Sequence, residues 1–286
     1  MNPAHFLIPD NGNDHNNNSR IFSILLVVIS SLATFCILAL ALLVVLLLAP
    51  DTTPQHPPID TGVSDTTADR PTSITPADVT LAQTEDAGSE YINKMIFIGE
   101  STTAHLSSRP GLPIDPLQVW KDKSGTKRLS SRITSEKILC NGTEMTIAEA
   151  CAQTKPTYVV LSFGLNGIMD FVSDKNSYVS NYSKLIKAIR QASPDSKIIL
   201  QTVYPVSNAD SFSVDIATLN SHLMTLNEWL PEIAAAHENV RVVDTASVLR
   251  AADGTLISSY DNGDGIHLSA DAYRAILDYL RTHAWK

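Results

Sequence analysis

Five short runs in the C-terminal two-thirds of the chain are dominated by apolar residues and do not alternate with polar ones. They are Met95–Gly99, Ile133–Leu139 (the weakest), Tyr158–Phe163, Lys197–Val203 and Val240–Asp244. Unbroken apolar runs of this length suit parallel strands covered on both faces. Helical patterns lie between and after them. Thr146–Gln153 is short, and Tyr178–Ala192 carries Tyr178, Tyr182, Leu185, Ile186 and Ile189 at helical spacing. Val214–His237 is long, with Pro231 as a candidate break, and Ser269–His283 closes the chain with Ser269 as its expected N-cap. Strand and helix in alternation predict an α/β fold, a parallel sheet held between helices. In such sheets ligands bind at the carboxyl ends of the strands.

The N-terminal part follows different patterns. Ile21 to Ala49 contains no charged residue and is built mainly of Leu, Val, Ile and Ala. About 20 such residues span a bilayer as a helix, and a secretory signal core is only about 7–15 residues long. With no small-x-small cleavage site in the following "LLLAPDTT", the stretch reads as one uncleaved transmembrane signal anchor. Arg20 flanks it on one side and Asp51 on the other, so the positive-inside rule puts residues 1–20 in the cytoplasm and the remainder outside the cell membrane. Residues 50–90 are rich in Pro, Thr, Asp and Ser and poor in large apolar side chains, which predicts a flexible, disordered tether. Residues 91–286 are then long enough for one α/β domain.

The formal net charge is −9, and no basic block or aromatic-basic interleaving is present, so a nucleic-acid partner has no support. Cys36 falls in the predicted span. Cys140 and Cys151 could pair in an oxidising compartment or stay as thiols, and sequence does not choose between these.

Candidate chemistry starts at "KMIFIGESTTAH", where Ser101 stands just past the carboxyl end of the first predicted strand. A serine there is either an ordinary helix cap or a nucleophile. As a nucleophile it needs a base within hydrogen-bond reach, and the base needs an orienting group. "DNGDGIHLS" offers both. His267 lies in a loop ahead of the last helix, and Asp264, three residues earlier, can turn back to accept its Nδ1 proton. "LSFGLNGI" follows the third predicted strand, on the same rim. Its Asn166 could aim a side-chain amide at an oxyanion, with the backbone amide of Ser101 as a second donor.

Three blocks in this order on this frame resemble the SGNH, or GDSL-type, hydrolase superfamily over residues 94–283. "FIGESTTAH", "FGLNG" and "DGIH" stand where that family has its Gly-Asp-Ser, Gly-x-Asn and Asp-x-x-His blocks. The resemblance implies a flavodoxin-like three-layer α/β/α sandwich and ester hydrolysis through an acyl-serine intermediate. It makes Ser101 the nucleophile, His267 the base, Asp264 its partner and Asn166 an oxyanion donor, and it implies no metal or cofactor. Glu100 departs from the family's Asp, and Gly167 replaces the last Asp of a Gly-x-Asn-Asp pattern. The family's second block supplies a glycine amide to the oxyanion hole, and Gly125 in "WKDKSGTKRL" is the candidate.

Other residues have plainer readings. His105, one turn beyond Ser101, could face the same site but is expected on the rim or surface. The run Asp261–Gly265 lacks the fifth- and twelfth-position ligands of a calcium loop. Met145, Met169 and Met224 are expected to pack in the core or at its rim. Trp120 is either a substrate-facing aromatic or a core residue. The expected protein is a membrane-tethered extracytoplasmic serine esterase acting on O-acyl, above all O-acetyl, esters of wall or surface glycans. An O-acyltransferase on the same glycans and a catalytically silent surface-binding protein are the alternatives.

Overall fold

The computed structural model describes residues 76–285. The apolar stretch at 21–49, the tail at 1–20 and most of the expected tether lie outside the described residues. Among those described, no helix is long and apolar enough to cross a membrane.

The described residues form seven strands: β1 Met95–Gly99, β2 Val119–Trp120, β3 Lys137–Cys140, β4 Thr143–Thr146, β5 Tyr158–Ser162, β6 Lys197–Gln201 and β7 Val240–Val243. Seven α-helices accompany them: α1 Ser89–Ile92, α2 Ser101–Leu106, α3 Ile147–Thr154, α4 Ile168–Ser173, α5 Lys175–Ala192, α6 Ile216–Ala235 and α7 Ala270–Thr282. The central sheet has five strands, all parallel, in the order β2-β1-β5-β6-β7. Counted along the sheet's own strands this is 2-1-3-4-5, the doubly wound order in which the rim beside the first strand forms the ligand crevice.

Successive strand residues feed opposite faces, as the two-residue period requires. Ile98, Val159, Leu161, Ile198, Leu200 and Val242 join one core beneath α3, α5 and α6. Phe97, Val160, Ile199 and Val243 join the other, closed by Tyr273, Ile276, Leu277 and Leu280 of α7. Ser269 caps α7 as expected, its hydroxyl accepting from the amide of Ala272. The sandwich of helix, sheet and helix is therefore dictated by strands that are apolar on both faces.

Three expectations need correction. The run Ile133–Leu139 is not a central strand. Ile133 is a buried anchor in a turn, and pairing starts at Lys137, where β3 and β4 form a separate antiparallel hairpin. Asn141 (φ 49°) and Gly142 (φ 78°) make its turn, the two left-handed positions that an Asn-Gly hairpin provides. The sheet's real edge strand is β2, too short at two residues to leave a pattern. Pro231 does not interrupt α6, which runs through it from Ile216 to Ala235.

The expected tether is also too long at its C-terminal end. Val79 is fully buried, the Leu81 amide donates to the Val242 carbonyl at 2.8 Å, and Thr84 and Ala87 donate to the end of α7. Two apolar anchors and a short ladder of backbone bonds fix residues 76–90 on the domain. Cys140 and Cys151 are free buried thiols.

Gly99 ends β1 where its backbone crosses β5. An added Cβ would lie 2.4 Å from the Ser162 carbonyl and 2.2 Å from Thr103 Oγ1. Because the first obstacle is backbone of a central strand, it cannot step aside. Gly99→Ala is expected to lower the urea midpoint by the equivalent of about 2–3 kcal/mol, as overpacking does. An unchanged midpoint would mean that the β1–β5 crossing is looser than described.

Candidate active site

β1 delivers Ser101 to the carboxyl rim of the sheet. Glu100 is the extended N-cap residue of α2 and Ser101 its first helical residue, so the leading amides of α2 have no partner within the helix. The loop before α7 brings His267 to the same place. His267 Nε2 stands 2.9 Å from Ser101 Oγ, and His267 Nδ1 stands 2.7 Å from Asp264 Oδ2. The two contacts use opposite ring nitrogens, so one tautomer satisfies both, with Nδ1–H donating to the carboxylate and Nε2 accepting from the serine hydroxyl. The other oxygen of Asp264 accepts the amides of Ile266 (2.9 Å) and His267 (2.7 Å). Partial burial pushes the Asp264 carboxyl upward, but the His267 and Ile266 bonds outweigh it and hold it at about 2.

Neighbouring residues fix the loop that carries this pair. Asp261 accepts the amides of Gly263 (2.7 Å) and Gly265 (2.9 Å) and the hydroxyl of Ser207 (2.8 Å). The Gly265 carbonyl accepts the amides of Ser207 and Asn208. Gly265 has φ 77°, and a Cβ there would lie 2.8 Å from the Asn208 amide nitrogen. Only glycine fits that crossing. On the other side, the Tyr273 hydroxyl donates to the Thr102 carbonyl and so ties α7 to α2.

Glu100 is 3 % exposed, and its carboxylate bridges the two strand ends. Oε1 accepts the amide of Gly164 and Oε2 that of Asn166, both at 3.0 Å. Burial pushes this carboxyl up to about 7, against the lowering effect of those amides. Below the same loop, the Tyr178 and Tyr182 hydroxyls both donate to the Phe163 carbonyl (3.0 and 3.1 Å). The longer arm of Glu100, a departure at the sequence level, is here the brace of the Gly164–Asn166 loop. Gly167 (φ 99°) is roofed by Arg128, whose guanidinium carbon would lie 2.7 Å from an added Cβ and which pairs with Asp170 at 2.5 Å.

A cavity of about 390 Å³ opens against Ser101 and His267 and includes His105, Lys121, Lys123 and Gly125 in its wall. The Gly125 amide donates to the Asp122 carbonyl at 3.2 Å. The Asn166 side-chain amide donates to the Lys127 carbonyl at 3.4 Å. The structure thus brings Ser101, His267 and Asp264 together and places Gly125 in the same cavity. It turns the Asn166 side chain toward the Lys127 carbonyl.

Trp120 is 1 % exposed, which decides between its two readings: it is a core residue, because β2 turns it into the sheet's packed face. Met224, expected at the core or its rim, is 44 % exposed on α6. His105 faces the site, half-buried in the cavity wall: its ring lies 4.3 Å from that of His267, tilted by 34°, and its Nδ1 is buried without a partner. The spacing i, i+4 from Ser101 on one helix is the signal that puts it there. Burial first, then the neighbouring His267 and Arg109, push the His105 imidazole below its ordinary value.

A doubly wound parallel sheet with Ser101, His267 and Asp264 in contact at its crevice rim fits an α/β serine ester hydrolase. Residues 97–275 match the GDSL-like Lipase/Acylhydrolase family, and the chain belongs to that family. Among solved structures the chain is similar to a carbohydrate esterase family 3 protein from Talaromyces cellulolyticus, at 14% identity and a TM-score of 0.44, covering 65% of this chain and 93% of that one. A family 3 carbohydrate esterase from Clostridium thermocellum is similar at 17% identity and a TM-score of 0.41, covering 66% and 93%. No curated protein matches the chain.

Glu100 makes stability depend on pH in a direction that can be worked out. Its carboxyl titrates near 4.5 in the ordinary state and near 7 when folded. Between those values the folded protein holds a proton that the unfolded chain has released, so stability falls as pH rises and the loss is complete above about 7. Glu100→Gln removes this term. The stability difference between wild type and variant, from urea unfolding at pH 5 and pH 8, should shift toward the variant by on the order of 3 kcal/mol as pH rises. A difference that stays constant would place the Glu100 carboxyl in water.

Proposed function

We propose that this protein is a membrane-tethered, extracytoplasmic esterase that removes O-acyl groups, chiefly acetyl, from wall or surface glycans. The observation that carries the chemistry is the pair of contacts on His267, 2.9 Å to Ser101 Oγ and 2.7 Å to Asp264 Oδ2. In this reading His267 takes the Ser101 proton as the oxygen attacks the ester carbonyl. The oxyanion is held by the Ser101 amide at the head of α2 and by Asn166, whose bond to Lys127 at 3.4 Å is long enough to exchange. Gly125 is a weaker donor, since its amide already serves the turn at Asp122. The imidazolium then protonates the leaving alcohol, and water, activated by the same imidazole, releases the acid from Ser101.

The tether supports the choice of substrate. In this reading the apolar segment at 21–49, with Arg20 on its N-terminal flank, anchors the domain outside the membrane, where acylated glycans would be within its reach. An acyltransferase would share every group named here and differ only in the acceptor. Product analysis with an added glycan acceptor separates the two.

His267→Ala should lower kcat by at least about 10³-fold on nitrophenyl acetate. Asp264→Asn should lose up to about 10⁴-fold through the wrong tautomer. Because Asp264 stays ionised down to about 2, the acid limb of log kcat/KM should fall with unit slope, reporting one group. A His267→Ala variant with near-wild-type turnover would remove the residue from the reaction, and a slope of two would bring in a second titrating group.

The placement outside the membrane has its own test. Protease added to sealed cells should release the domain by cutting between residues 50 and 75. Full protection until the membrane is broken would reverse the orientation.

A further inference from the structure

The cavity wall opposite Ser101 is built largely from the loop "KDKSGTKR", residues 121–128, which carries four cations. Three of them are matched. Lys123 pairs with Glu144 at 2.6 Å, Lys127 with Glu136 at 3.2 Å and Arg128 with Asp170 at 2.5 Å. Lys121 is different. Among the described residues its ammonium has one hydrogen-bond partner, the Ser107 hydroxyl at 3.0 Å, and no carboxylate.

A second unmatched cation lies close by. Arg109 follows α2, and its Nε and Nη2 are buried with no hydrogen-bond partner. Lys121 and Arg109 both bear electrostatically on His105, whose ring lies in the cavity wall. The carboxylate that acts on His105 is Asp264, already committed to His267 and two backbone amides. No aspartate or glutamate lines the cavity. The net charge of the chain is −9, so a cationic cavity wall does not follow from composition.

Lys121 and Arg109 both push the His105 imidazole toward its neutral form, and among the described residues neither has a carboxylate partner. Buried guanidinium nitrogens without a hydrogen-bond partner are costly. An anion bound at the cavity wall near Lys121 would supply the missing counter-charge.

We infer that the site takes an ester whose sugar carries an anionic group, a carboxylate or a phosphate, close to the acylated hydroxyl, with Lys121 as its principal contact and Arg109 supporting the field. The inference rests on the esterase reading and adds the charge of the substrate to it. The cavity of about 390 Å³ holds a single sugar unit and its acyl group, which puts the anion on the acylated unit itself or on its immediate neighbour.

The test compares kcat/KM for three acetylated methyl glycosides: a glucoside, a glucuronide and a glucoside phosphate. Wild type should prefer one of the two anionic esters over the neutral one by about tenfold at low ionic strength, and the preference should shrink in high salt. The arm with the larger ratio names the anion. Lys121→Gln, which loses the charge but retains a donor group, should compress that ratio by severalfold, and Arg109→Gln should compress it less. Equal kcat/KM for all three esters, or a preference that survives both variants and high salt, overturns the inference. Labelling of Ser101 by a fluorophosphonate keeps the two levels apart. A labelled enzyme without anion preference refutes the substrate charge alone, and an enzyme that neither labels nor turns over any ester refutes the esterase reading and this inference with it.

Discussion

The buried carboxylate of Glu100 is the joint on which the site depends. It lies between the end of β1 and the loop after β5, accepting the amides of Gly164 and Asn166. Both strand ends lead to residues with proposed roles, Ser101 on one side and Asn166 on the other. A single acceptor therefore sets their spacing. Its surroundings are apolar and aromatic, including Tyr178 and Tyr182, both fully buried. A carboxylate in such a place costs free energy when charged. That cost persists because the alternative is two orphaned backbone amides at the crevice, which are expensive as well.

The second half of the site is built with much less burial. Asp264 and His267 lie on a loop, and their positions are fixed by backbone hydrogen bonds. Asp261 gathers three donors, Gly265 permits a close crossing with Asn208, and Asp264 caps its own turn. Two different devices thus meet at Ser101: a rigid strand corner and a loop stitched by carboxylates. His105 seals the contact by lying against the ring of His267, so its imidazole borders both the packed interior and the cavity.

Most of this architecture was legible in the sequence because the strands are apolar on both faces and leave an unbroken run. β1, β5, β6 and β7 announce themselves in that way, and Ser101, Asn166, Asp264 and His267 each fall at a strand end or in a loop before a helix. What escaped did so for physical reasons. β2 is two residues long, too short for any period. Ile133 and Ile138 are both buried, which imitates a strand, yet only the second is in one. Residues 76–90 look like tether because Val79 and Leu81 are their chief apolar anchors, and the rest of their hold is backbone bonding that composition does not report. The brace made by Glu100 joins residues more than sixty positions apart, and the charge imbalance around Lys121 emerges only once its neighbours find their partners.

The central claim is that Ser101 carries the acyl group during turnover. It is tested most directly by mixing the enzyme with excess nitrophenyl acetate, quenching in acid within a turnover, and mapping the protein by mass spectrometry. An added acetyl group on the peptide containing Ser101, lost on delayed quenching and missing in Ser101→Ala, is the predicted result. Turnover of the ester with no acylated Ser101, or with equal acylation of the Ser101→Ala protein, would contradict the account.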